Sequence, residues 1–426
     1  SCSNNMNKII KRDTKDIRTS LKTSTIEGSW WAVMYGSVET YFGAFFEFLK
    51  YSSFEISILT TLPIFIGSIF QNYTSFFFHI LKSRKTLLVI LKIIQTLLLP
   101  TIYYVGIKTD NFYLFLLVIC FYFMIAISQL SPWTSWMGYL VPGRIRGRYF
   151  ANRSQIVKIS MLISSLLAGT LLNEYSETDA LLGFGIIFCI GIVANIGSMF
   201  FITKKYEPPY QLISSKSQFN NYGDEKSNII KTFISFDAIS QFSVSISGPL
   251  MMVFWIRHQE FNYLELAILI NASQILSLFS LRYWGKKIDE LGTHITIRWT
   301  SLIIIFFPIM WIGTSYLPTQ LKLPMSIMIA SFGALTFSGR SLAMDNRLFE
   351  LMTGKDMISL TSKRIFYRGL FIFLGGVLGG FISKQESILH QLLTPAINPI
   401  HLVFLSSSLI RLSVWIVYLR HGKKAV

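Results

Sequence analysis

Apolar stretches of about twenty residues or more recur from one end of this chain to the other, and they constrain its fold more than any other feature. They fall at 29–49, 54–79, 85–106, 111–137, 154–173, 180–203, 228–257, 262–284, 294–317, 322–346, 358–384 and 396–420. A helix rises 1.5 Å per residue, so about twenty residues span the ~30 Å hydrocarbon layer of a bilayer. In hydrocarbon every backbone N–H and C=O must be satisfied within the chain, which leaves helices and closed barrels. The apolar–polar alternation of a membrane barrel is missing, so twelve transmembrane helices are expected. Composition agrees: charged residues make up 14% of the 426, against ~25% in soluble domains.

The basic residues orient the runs. With the amino end placed inside, 32 of the 39 Lys and Arg lie in inside segments and five in outside loops. One missed or extra span would scramble that asymmetry, so both termini are expected in the cytoplasm. The stretch "WTSWMGYLVPGRIRGRYFANRS", residues 133–154, shows the pattern locally. Two tryptophans close an apolar run, and Arg144, Arg146, Arg148 and Arg153 then mark a cytoplasmic turn. The net charge of +17 reads as topology and attraction to anionic lipid, and no nucleic-acid partner is needed to explain it. Residues 1–28 are polar and basic, lack the apolar core of a secretory signal, and read as a flexible cytoplasmic tail.

Residues 204–227, rich in Pro, Ser, Asn and charge, read as a cytoplasmic linker. It divides an N-terminal half at 29–203 from a C-terminal half at 228–420, with a short tail at 421–426. Two halves of six spans invite a search for a repeat. Glu39 answers Asp237 at an offset of 198, and the Arg84–Lys85 turn answers Gly292–Thr293 at 208. Tyr139 and Arg153 answer Glu350 and Arg364 at 211.

Enzyme chemistry finds no support. The six His are scattered, and no HExxH, Walker loop or nucleophile elbow occurs. Cys2, Cys120 and Cys189 give neither a disulfide framework nor metal-ligand spacing, so no cofactor or metal is expected. Among the acids only Glu39 and Asp237 lie deep inside spans. A carboxylate there costs roughly 3 kcal/mol or more, so it should face a cavity or a partner and can carry a proton. Lys92 and Arg411 also lie within spans, the first a candidate ion-pair partner for these acids, with snorkelling to the inner interface as the other reading for both. "GGVLGG", Gly375 to Gly380, has small residues four apart that let helix backbones approach closely.

Twelve spans in two halves, cytoplasmic termini and a central inside loop resemble the major facilitator superfamily. "GKKIDELGTHITIR", Gly285 to Arg298, is similar to that family's cytoplasmic motif, with Gly285, Asp289, Gly292 and Arg298 at the motif positions. The first-half copy keeps Arg84 and Lys85 but lacks the Gly and the Asp. The 133–154 stretch is similar to a bacterial subgroup with a Trp-rich fourth span, Val-Pro and an Arg-Gly-Arg-Tyr-Phe run. The resemblance implies gating contacts for the cytoplasmic motif, and for Arg84, Arg148, Arg153, Glu350 and Arg364 around it. It also places Gln129 and Gln241, on the fourth and seventh spans, beside a central cavity as hydrogen-bonding groups for a solute. The expected protein is a secondary transporter of a small organic solute, proton-coupled through Glu39 or Asp237, monomeric, in the bacterial inner membrane. A transporter-like membrane protein that serves as a sensor or assembly partner is the alternative.

Overall fold

The computed structural model describes residues 2–142, 145–176, 178–207, 224–351, 356–384 and 398–418. Among them there are helices and no strand. In chain order the first are α1 (Cys2–Ser37), α2 (Phe42–Phe48), α3 (Ser53–Leu81), α4 (Arg84–Lys108), α5 (Phe112–Ser128), α6 (Leu130–Leu140), α7 (Arg146–Tyr175) and α8 (Ala180–Thr203). There follow α9 (Asp224–Ser245), α10 (Met251–Val253), α11 (Tyr263–Leu291), α12 (Thr293–Ile304), α13 (Phe307–Thr314), α14 (Thr319–Leu351), α15 (Asp356–Lys384) and α16 (Pro399–Tyr418). Among the described residues eleven segments are long and apolar enough to cross a membrane. The first expected span, 29–49, is not among them, because it is cut into α1, a 3-10 turn at Glu39–Tyr41, and α2. The chain is a multi-pass membrane protein.

Proline sets three of the helix breaks. It has no N–H, so the carbonyl four residues upstream loses its helical partner. Pro132, Pro249 and Pro308 lie four residues beyond Ser128, Ser245 and Ile304, which are the last residues of α5, α9 and α12. At the third break Arg411 Nη1 donates to the Ile304 carbonyl at 2.9 Å, and Ser408 Oγ donates to the Ile305 carbonyl at 2.8 Å. Pro63 and Pro100 sit inside α3 and α4 without ending them.

Two compact units form, the first from residues 1–42 and 67–213 and the second from 43–66 and 214–426. Residues 208–223 of the expected linker at 204–227, and 419–426 with the expected tail at 421–426, lie outside the described residues.

In the first unit the expected tail is helical and continuous with the first span, since α1 begins at Cys2. The reason is a buried stripe at helical spacing. Ser20, Ser24 and Glu27 are buried, and Ile17 and Leu21 pack on Met137, Leu140 and Val141. The Tyr41 hydroxyl donates to the Ser165 carbonyl at 2.7 Å, fixing the break in the first span against α7.

The second unit contains α2 and the first part of α3. Ser57 Oγ donates to the Gly376 carbonyl at 2.6 Å, and Phe65 stacks on Phe373 with centroids 5.8 Å apart. The Gly375–Gly380 run works as the small-residue spacing suggests. A Cβ at Gly375 or Gly379 would overlap the carbonyls of Phe242 and Ile246 in and just beyond α9, and one at Gly376 would overlap Thr61. Gly379→Ala is therefore expected to destabilise by about 1–3 kcal/mol, the usual cost of overpacking. Gly313→Ala, where a Cβ meets open space, is expected to be neutral or slightly stabilising. Thermal unfolding of the two variants in the same detergent checks both.

Candidate functional site

Glu39 sits in the 3-10 turn that breaks the first span, half-buried. Its Oε1 accepts from the Tyr122 hydroxyl at 2.7 Å. The Tyr122 oxygen accepts in turn from Gln95 Nε2 at 3.2 Å. Gln95 Oε1 accepts from Gln129 Nε2 at 2.9 Å and from Lys92 Nζ at 3.4 Å. Lys92 Nζ also donates to Asn195 Oδ1 at 2.8 Å. From Gln129 and Lys92 through Gln95 and Tyr122 the bonds run toward the carboxylate, with a branch from Lys92 to Asn195. Lys92 and Gln95 are buried to 2% and 1% exposure, so Lys92 does not snorkel but reaches Glu39 through two side chains. Chains of this kind in low dielectric polarise one another. Of these residues Glu39, Gln129 and Lys92 are legible as polar groups in apolar runs, whereas nothing in the sequence singles out Tyr122 among the aromatics.

A second cluster joins α1, α7 and the end of α8 in the same unit. Glu27 Oε2 faces Lys205 Nζ at 3.4 Å and Arg153 Nη2 at 3.6 Å. The Arg153 guanidinium lies 4.5 Å from the Trp133 ring centroid, and Lys205 Nζ 4.7 Å from that of Trp136. The tryptophans of the 133–154 stretch therefore face cations. Burial raises the Glu27 carboxyl, but Lys205 and Arg153 outweigh it and hold the group below the usual carboxylate range. Glu207, which sequence reasoning passed over, caps α4 by accepting from the Arg84 and Lys85 amides and from Ser83 Oγ. Arg84 is buried and its Nε donates to Ser135. Arg148 is exposed, and Arg144 lies outside the described residues.

The second unit carries a matching pair. Asp237, 2% exposed, accepts from Arg364 Nε at 2.7 Å, and Arg364 Nη1 reaches Asp345 at 2.9 Å. The repeat register follows from this. The 3-10 turns at Glu39–Tyr41 and Gly248–Leu250 break the two first spans 209 positions apart. Asp237 stands 210 positions after Glu27, and Arg364 stands 211 after Arg153. The expected match of Glu39 with Asp237 is thus corrected: Glu27 is the counterpart of Asp237, and Glu39 belongs to the first unit alone. Gln241 is half-buried on α9 and makes no hydrogen bond to a described residue.

At the α11–α12 turn Gly292 has φ of 85°, a conformation that favours glycine, and Gly285 has open space around it. Asp289 is exposed and makes no ion pair among the described residues. Glu350 reaches this turn: it accepts from Thr293 Oγ1 at 2.9 Å, at the start of α12, and pairs with Arg347 at 2.8 Å. Arg298 stacks over Trp415 with 5.9 Å to the centroid, and the Trp415 indole donates to the Arg298 carbonyl. Among the described residues no group of His, Cys, Asp and Glu could hold a metal ion.

The family profile of the Major Facilitator Superfamily matches residues 28–356, and the chain belongs to that superfamily. Its members are transporters. No curated protein matches the sequence significantly. Among solved structures, the nucleoside transporter NupG aligns with a TM-score of 0.71 at 12% identity, over 96% of this chain and 99% of that chain. A D-xylose–proton symporter aligns at 0.69 and 12% identity, over 96% and 98%. A bacterial homologue of the iron transporter ferroportin, in an inward-facing state, aligns at 0.68 and 12% identity, over 94% and 99%. At such identities the likeness concerns the fold.

Removing Glu27 leaves Lys205 buried without its carboxylate. Glu27→Gln is expected to cost about 3–5 kcal/mol, and the double variant Glu27→Gln/Lys205→Met to recover most of it. Because the folded-state carboxyl is depressed, its contribution is present above the range of the free group and is lost as pH falls through the folded value. The difference between wild type and Glu27→Gln, read by denaturant unfolding, should therefore shrink on acidification.

Proposed function

We propose that this protein is a secondary active transporter of a small organic solute, driven by protons through Glu39. The observation that carries the reading is the one-directional line from Lys92 and Gln129 through Gln95 and Tyr122 to the Glu39 carboxylate. An ionised carboxylate accepts from that line. A protonated carboxyl becomes a donor and turns the Tyr122 contact over, so one proton reverses the bond at the head of this line. A group whose bonding differs between two states can bias an equilibrium between them.

Asp237 is committed to Arg364, which favours Glu39 as the proton carrier and Asp237 as a fixed charge partner. Gln241 remains a candidate for solute contact, since its amide is unengaged. A D-xylose–proton symporter among the structures of this fold supports coupled transport as a class. The residues of the α11–α12 turn are assigned to gating, with the Thr293–Glu350 hydrogen bond as the contact that ties the turn to α14. The cation asymmetry supports an inner-membrane location with both termini inside.

The test is flux in vesicles carrying an imposed pH gradient, with a panel of radiolabelled sugars, nucleosides and organic acids. Wild type is expected to accumulate one of them. Glu39→Gln is expected to lose gradient-driven accumulation by about tenfold or more while keeping exchange of labelled for unlabelled solute. Tyr122→Phe should show the same split to a lesser degree. Unchanged accumulation in Glu39→Gln overturns the coupling role, and absence of flux for every solute overturns the transporter reading.

A further inference from the structure

Buried charge in the second unit does not balance. Its buried arginines among the described residues are Arg340, Arg364 and Arg411, at 5%, 7% and 8% exposure, and its buried acids are Glu47 and Asp237. Glu47 is taken by Arg257 at 2.6 Å and Asp237 by Arg364 at 2.7 Å. Arg340 and Arg411 are left with no carboxylate within 4 Å among the described residues. A guanidinium does not escape burial by losing its proton, and an uncompensated one in a membrane interior is costly.

Hydrogen bonding is unbalanced in the same sense. Arg411 donates to the Ile304 carbonyl and to Ser247, and Arg340 donates to Ser240. The Nε of each has no partner. The two arginines line one cleft of about 10 Å³, room for a single water. Arg411 also lines a cavity of about 240 Å³ with Trp255, Phe307, Trp311, Phe337 and Phe404. The indole N–H of Trp255 has no partner either. Two residues of this lining, Arg411 and Trp255, thus carry an unused donor, one of them cationic, beside apolar and aromatic walls. What completes them is an acceptor that carries negative charge on an apolar body.

We infer that the cavity between α9, α13, α14 and α16 binds a small organic anion, its carboxylate or phosphate head at Arg411 and its apolar body against Trp255 and Trp311. The site lies wholly within the second unit and involves neither Glu39 nor Tyr122. Equilibrium binding therefore stands or falls independently of proton-coupled flux.

Binding is read on the full chain in phosphatidylcholine nanodiscs, by tryptophan fluorescence and thermal stabilisation, with benzoate as probe and benzamide as its uncharged analogue. Benzoate is expected to bind saturably, and benzamide at least about tenfold more weakly, since a charged hydrogen bond is lost. Arg411→Gln should weaken benzoate by a similar factor and Arg411→Lys by less. Trp255→Phe keeps the ring, removes the unused N–H, and should weaken benzoate several-fold even if Arg411→Gln fails to fold. Repeating the titration in phosphatidylglycerol nanodiscs separates the sources of the anion: loss of benzoate binding there marks a lipid headgroup as the occupant, and unchanged binding marks a free anion. Equal affinity for benzoate and benzamide, no saturable benzoate binding in phosphatidylcholine, or unaltered binding in both Arg411→Gln and Trp255→Phe overturns the assignment.

Discussion

A charge carried into hydrocarbon has to find its partner inside the protein, and most of this architecture follows from how each buried charge is met. Glu27 holds α1 to α7 through Arg153 and to the end of α8 through Lys205. Asp237 holds α9 to α15 through Arg364. These are equivalent joints, because the acids stand 210 positions apart and the arginines 211. Removing one partner of such a pair strands a charge at a cost of about 3–5 kcal/mol, a large part of the stability of a typical fold.

Beyond those joints the units diverge. The first carries an acid at its helix break, Glu39, and a cation, Lys92, connected to it by neutral side chains. The second places Gly248 and Pro249 at the corresponding break and keeps two buried arginines with no carboxylate within 4 Å among the described residues. One unit thus has an internally connected acid and base, and the other a surplus of positive charge.

The spans were legible because a bilayer demands runs of apolar residues whatever their neighbours. The helix breaks were less so. Pro132, Pro249 and Pro308 end helices four residues upstream, yet Pro63 and Pro100 do not, and only the surrounding packing decides. Register of the repeat was misread because Glu39 and Asp237 stood out as the deep acids, while Glu27 lay in what looked like a polar tail. The tail is helix because α6 gives its apolar stripe somewhere to pack. Lys92 and Arg411 looked free to snorkel. Their burial depends on amide and carbonyl oxygens supplied from sequence positions far away, which no local pattern reveals.

The bond from Arg411 to the Ile304 carbonyl ties two distant positions together in descent. The ring at Pro308 frees that oxygen, and the guanidinium 103 residues later claims it. A lineage that exchanges the proline for an ordinary residue hands the oxygen back to its own helix and unmoors the arginine. One that exchanges the arginine first leaves a bare dipole in the membrane. Relatives of this chain are thereby expected to keep both residues or neither.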